Sequence, residues 1–219
     1  MKIFIKLLFV AVILTVTAES YAQTFGLRAG VNFANMLVKD EDETYSEDFK
    51  MNPGFHIGPT AEFPINDIFS FETGLIASTK GFKIDESESG FDYKLKANLI
   101  YLDIPLTAKA SYDVNFGKIY GAVGPYLGMG LIGKYKSEMS FGGETETDTE
   151  DVEWGSGEDA DLKRLDYGLT VGAGVEINGI QVGLSYGLGL ANTSPDSEGD
   201  YKASHRVLSV SIGYKFGAK

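Results

Sequence analysis

Leu169-Thr170-Val171-Gly172-Ala173-Gly174-Val175-Glu176-Ile177-Asn178-Gly179-Ile180-Gln181-Val182-Gly183-Leu184-Ser185-Tyr186-Gly187-Leu188-Gly189-Leu190 decides the fold. On both sides of Asn178-Gly179 every second residue is apolar, and the residues between are Gly, Thr, Ser, Gln or Glu. Side chains of a strand alternate between faces, so each half is a strand with one bulky apolar face and one small polar face. Asn-Gly is the strongest short hairpin signal, because both turn positions need positive φ. The stretch therefore predicts an antiparallel hairpin, with no trace of helical period.

The same alternation recurs through the chain. Phe25 to Phe33, Phe55 to Phe63, Phe69 to Ala77, Ile100 to Ala108, Ile119 to Leu131, Tyr167 to Ile177, Ile180 to Leu190 and Leu208 to Phe216 give eight segments. Glycine makes up about 12% of the chain against a usual ~7%. Fifteen of the 27 glycines fall on the polar face of these segments, and only Gly121 falls on the apolar one. Glycine weakens strands, so its concentration on one face suits a crowded concave surface. Nine charged residues share that face: Arg28, Glu62, Glu72, Lys80, Asp103, Lys109, Asp166, Glu176 and Lys215. Inside a narrow barrel such charges must be paired or hydrated, so they are candidates for a lumen charge network with a structural role.

Three architectures accommodate the alternation. A lipocalin-like soluble barrel has an apolar interior and would expose the glycine and charge. A soluble secreted β-sandwich would press its apolar faces together. A membrane barrel turns the apolar face to lipid and keeps the small polar face inside. Connection lengths favour the third. Long connections at 37–52, 81–98, 134–165 and 193–204 alternate with short ones at 64–67, 112–115 and Asn178-Gly179. Outer-membrane barrels show that asymmetry, with short periplasmic turns and longer outer loops. The expected fold is an all-β, eight-stranded, antiparallel up-and-down transmembrane β-barrel.

Residues 1–22 read as a secretory signal peptide. Lys2 and Lys6 precede the apolar run Leu7 to Val16, and Ser20-Tyr21-Ala22 supplies small residues for cleavage after Ala22. The run is half the ~20 residues a membrane helix needs. Residues 23–219 then form the barrel domain, a mature chain of formal charge −13. The whole chain, at −12 with 219 residues and no Cys, has no disulfide, thiolate metal site, Cys nucleophile or Cys-linked lipid anchor. Its acidity argues against nucleic acid, which needs clustered Lys and Arg.

Most of that acidity sits in the long loops. The tract 134–165, with Glu144, Glu146, Asp148, Glu150, Asp151 and further acids around Trp154, reads as a solvated, mobile loop whose charge keeps it soluble. With 37–52 it is a candidate surface for an extracellular partner. No Asp-x-Asp-x-Asp-Gly loop appears, so no metal or cofactor is expected. His56 reads as a hydrogen-bonded lumen residue. A Ser-His-Asp arrangement could use His205 with Ser204 or Ser209, but a triad is set by geometry and not by neighbours in sequence. No enzyme is expected. The glycine pairs at 172/174 and 187/189 lie mid-strand with no following helix, so they are not phosphate loops.

Three stretches carry a family resemblance. Tyr101-Leu102-Asp103-Ile104-Pro105-Leu106, Asp166-Tyr167-Gly168-Leu169 running on to Gly172-Ala173-Gly174-Val175-Glu176, and the ending Leu208 to Phe216 resemble strands of the PorT-like outer-membrane β-barrels of Bacteroidetes-type bacteria. The resemblance spans residues 23–216. It implies an outer-membrane location, contact with outer-membrane lipid, and an aromatic-ended last strand (Tyr214, Phe216) read by the outer-membrane assembly machinery. Three residues follow Phe216, which departs from that ending. The expected role is a monomeric, filled barrel with a Gly-rich polar lumen, structural or partner-binding. The alternative is a narrow channel or a component of a secretion or transport system.

Overall fold

The computed structural model describes residues 23–39, 49–88, 91–142, 144–157, 159–195 and 202–216. The expected signal peptide, residues 1–22, lies outside the described residues. The chain forms β1 (Thr24–Lys39), β2 (Asn52–Pro64), β3 (Phe69–Gly74), β4 (Ile76–Lys80), β5 (Lys83–Glu88), β6 (Phe91–Val114), β7 (Gly117–Phe141), β8 (Glu144–Asp151), β9 (Leu165–Ile177), β10 (Ile180–Gly189) and β11 (Lys202–Phe216). Every pairing between them is antiparallel, and no helix occurs among the described residues.

The pairings close on themselves. β1 pairs with β2 on one side and β11 on the other, and β2, β3/β4, β6, β7, β9, β10 and β11 complete the ring. β3 and β4 are one barrel strand, since both hold the same register against β6. The ladder is interrupted around Leu75, where the registers set Pro59 opposite Leu75 and Pro105 opposite Gly74, and neither proline offers an N–H. Leu75 still donates to the Pro59 carbonyl at 3.0 Å. The ring therefore has eight positions. Following the registers round it from Phe25 through Ala61, Thr73 and Leu106, across to Pro125 in the register that Pro105–Tyr126 and Ala108–Val123 set, and on through Leu169, Leu188 and Arg206 returns to Asn35, ten residues along β1. A displacement of that size in eight strands tilts them about 40° and leaves an interior just wide enough for side chains.

The apolar alternation faces outward. Leu27, Val31, Phe55, Ile57, Val123, Leu127, Leu169, Val171, Val182, Leu184, Val210 and Ile212 are all exposed on the wall, as a lipid-facing belt requires. Aromatic side chains crowd the periplasmic rim: Phe25, Phe69, Tyr112, Phe116, Tyr214 and Phe216 are each at least half exposed. Tyr214 and Phe216 meet edge to face at 5.4 Å on this outer surface. The hairpin between β9 and β10 turns through Asn178 (φ 51°) and Gly179 (φ 81°), the left-handed pair the Asn-Gly signal calls for.

The long connections depart from the sequence reading. The segment 81–98 is not a loop: β5 and the start of β6 extend the wall, in the register that β3 and β4 already hold. Likewise 134–165 is not simply a solvated, mobile tract. β7 runs on to Phe141 and pairs with β8, so β5, β6, β7 and β8 form a four-stranded ribbon standing beyond the ring. β7 enters this ribbon through a register shift between Ile100 and Tyr101, which leaves Leu131 and Ile132 both outward. At 37–52, β1 continues to Lys39 and β2 begins at Asn52, so less of that connection is loop than the alternation suggests. Beyond the ring backbone pairing continues and the alternation changes character: on β6 Leu95, Ala97 and Leu99 turn to the buried cluster while Lys94, Lys96 and Asn98 turn outward.

Candidate functional site: the lumen

Eight strands bring their inner residues to one axis. Near the periplasmic end, Arg28 of β1 contacts Glu72 of β3 at 2.7 Å. Lys109 of β6 lies 3.0 Å from Glu62, 3.9 Å from Glu72 and 3.7 Å from Glu176. Lys215 of β11 bridges Glu62 and Glu176 at 2.7 Å each. Ser70 donates to Glu62 at 2.8 Å and Gln181 to Glu176 at 3.0 Å. Three cations and three carboxylates from six strands thus form one connected, formally neutral network across the tube. Such a network offsets the desolvation that an isolated buried charge could not meet.

A second cluster lies further out. Lys80 of β4 donates to Asp103 of β6 and Asp166 of β9, both at 2.8 Å. The Tyr126 hydroxyl also donates to Asp166, at 3.1 Å. The Lys80 ammonium lies 4.7 Å from the Tyr101 ring centre and 4.6 Å from that of Tyr126, so two aromatic faces help hold a cation buried from bulk solvent. One base between two acids leaves this group with an excess of acid over base, unlike the balanced network below it.

The nine charged residues read from alternation therefore divide into two groups. Six meet at the periplasmic level and three at the outer level. Sequence reasoning did not single out the tyrosines. Tyr120 lies across the lumen with Lys109 4.3 Å above its ring, where a Cβ on Gly174 or Gly183 would meet its hydroxyl at 2.5 Å. The legible signal was inward tyrosines at 101, 120 and 126 on a face otherwise rich in glycine.

His56 bridges Asn32 (2.8 Å) and Ser211 (3.0 Å), and Asn32 also accepts from Ser209 at 2.8 Å. His205 is fully buried and meets the Tyr101 hydroxyl at 3.2 Å; Ser209 is committed to Asn32 rather than to His205. Between the two charge clusters lies a cavity of about 150 Å³, bordered by Arg28, His56, Glu72, Lys80, Asp103 and Tyr126 among others. It has room for a few waters and polar groups to hold them.

The outer mouth corrects the expectation of a lumen polar throughout. Past Asn32 the inward residues of β1 become the buried Ala34, Met36 and Val38, and Met36 and Val38 join Phe82, Ala97, Leu99, Tyr101, Val152, Leu162 and Ala203 in a buried apolar cluster. Trp154, expected in a mobile acidic tract, packs against this cluster instead. Its ring stands edge-on to Tyr101 at 5.6 Å, with the Arg164 guanidinium 5.6 Å away on its face. Gly130 makes this seat possible, because any Cβ there would overlap the Trp154 ring. Tyr135, on the ribbon, packs alongside, and its hydroxyl pKa is pushed up to about 12 by burial and by the charge of Asp161. The apolar cluster was hidden because Val152, Trp154 and Leu162 have no periodicity and sit among acids.

A closed antiparallel ring with apolar residues outside and paired charges inside defines a transmembrane β-barrel. The chain belongs to the outer membrane protein beta-barrel domain family, which it matches over residues 21–194. Among solved structures it is similar to Ail, the attachment invasion locus protein of Yersinia pestis, at 19% identity over 90% of this chain and 100% of that one (TM-score 0.33). It is also similar to Neisserial surface protein A, at 16% identity over 90% and 100% (TM-score 0.41). A third is the N-terminal β-barrel domain of Pseudomonas aeruginosa OprF, at 8% identity over 85% and 97% (TM-score 0.29). No curated protein matches the chain by sequence.

Proposed function

We propose that this outer-membrane barrel is a closed, monomeric element of the membrane wall that presents its outer face to a partner, with neither a diffusion pore nor a catalytic step. The observation that carries the reading is the double closure of the lumen. The six-residue ion network crosses the periplasmic half, and the apolar cluster with Trp154 fills the outer mouth. A solute would have to break ion pairs at one end and a packed core at the other. The reading without a catalytic step rests on enclosure: His56, although bonded to Ser211 and Asn32, is buried between the two closures, and the fully buried His205 meets the Tyr101 hydroxyl.

The finer placement among the PorT-like barrels is supported by Tyr101 to Leu106, whose Tyr101 and Asp103 belong to the outer lumen group. Export through cleavage after Ala22 and recognition of Tyr214 and Phe216 by the assembly machinery belong to the same reading. Contact with an extracellular partner is assigned to 37–52 and 134–165. A swelling assay on proteoliposomes tests the closed lumen. No swelling in a monosaccharide is expected, and swelling at porin-like rates would favour the narrow-channel reading.

A further inference from the structure

The ribbon formed by β5, β6, β7 and β8 separates charge by face. Residues directly opposite on neighbouring strands share a face, so the pairings fix which charges stand together. Lys83 opposes Lys96, Lys96 opposes Lys136, and an isolated bridge sets Lys50 opposite Lys83. Four lysines therefore form one row across four neighbouring segments, flanked by Lys94 and Lys134 two residues along their strands. The opposite face of the ribbon carries Glu86, Glu144, Glu146, Asp148 and Glu150, and no lysine among the described residues.

A row of like charges on adjacent strands is destabilising unless something else meets it. The chain meets it in part. Lys83 and Lys50 reach Asp85 at 2.8 and 3.6 Å, Lys136 reaches Glu138 at 2.6 Å, and Lys134 reaches Asp151 at 3.2 Å. Hydrogen bonds from Lys83 and Lys136 hold the Asp85 and Glu138 carboxyls below their ordinary pKa. With Asp92 counted, four acids face six lysines. Lys94 and Lys96 have no carboxylate within ion-pair distance among the described residues.

The position of the row supplies the ligand. Its face continues the lipid-facing wall: on β7 the exposed Met129, Leu131 and Ile132 lead directly to Lys134 and Lys136, and on β6 Ile100 leads through Asn98 to Lys96. Both ends of the wall are fixed by the aromatic rim below and this basic row above. Ammonium groups just past the hydrocarbon edge stand level with the headgroups of the outer leaflet, with their methylene stems lying along apolar surface. We propose that this lysine row is a docking site for the phosphate groups of a phosphorylated lipid in the outer leaflet, bound against the outside of β5, β6 and β7. It does not depend on whether the lumen conducts.

The full chain in neutral, nonionic micelles, titrated with fluorescent diphosphoryl lipid A and followed by anisotropy, tests this. Lys83→Gln/Lys96→Gln/Lys136→Gln is expected to weaken binding by about fivefold or more, with the heat-modifiable gel shift of the folded barrel retained. The corresponding triple Arg variant keeps the charge and is expected to bind within about twofold of the wild type. Lys118→Gln, at a periplasmic turn, is expected to change nothing. Equal binding by the triple Gln variant, or equal binding of the dephosphorylated lipid, would overturn the site. Displacement of the lipid by an equal concentration of inorganic phosphate would overturn the assignment to a lipid headgroup.

Discussion

At the periplasmic end of the lumen, Lys109 and Lys215 each touch more than one carboxylate, and every carboxylate keeps more than one partner. At the outer mouth, Met36, Val38, Leu99, Val152 and Leu162 pack with no charge between them. Between lies the Lys80 group, buried like the mouth but charged like the base. The difference is one of redundancy. The periplasmic network can lose a member and rearrange, because its charges balance and its contacts are shared. The Lys80 group has a single base, so its loss leaves two acids without a counterion in a buried site.

The largest effect should come from that single base. Lys80→Met is expected to cost about 3–5 kcal/mol, read from guanidinium unfolding of micelle-solubilised barrel by Trp154 fluorescence. A cost below about 1 kcal/mol would erase the distinction between the clusters. Leu99→Ala, in the apolar mouth, is expected to cost about 2–5 kcal/mol in the same assay. Leu184→Arg, on the lipid side of β10, should impair insertion by about 2–4 kcal/mol near the membrane midplane. Its neighbour Ser185→Arg points into the cavity-lined lumen, and equal penalties for the two would break the assignment of faces. Lys215→Met is the mildest: about 1–2 kcal/mol, because Lys109 stays within reach of both Glu62 and Glu176.

The barrel was legible because lipid and lumen demand opposite residue types on alternate positions. Leu184 and Ser185, or Ile104 and Asp103, declare their sides without any knowledge of partners. What alternation does not carry is axial level. That Lys80 meets Asp103 and Asp166 while Lys109 meets Glu62 follows from the ten-residue displacement round the ring, a property of all eight registers together. The apolar mouth was illegible for another reason. Ala34, Met36 and Val38 keep the inward parity of Asn32 but change chemistry, and Val152 and Leu162, which share the cluster of Met36 and Val38, come from a stretch with no period. Glycine at 130 and tryptophan at 154 are complementary in space and 24 residues apart in sequence. The ribbon was missed because its two faces are charged oppositely, which in sequence reads as a run of mixed charge rather than as a strand.

The closed lumen is tested most directly by planar-bilayer recording on the purified full chain, at several voltages and in molar salt. Double closure predicts a flat baseline, with no steady unit step. Reproducible, long-lived steps of constant conductance from the wild-type chain would contradict it.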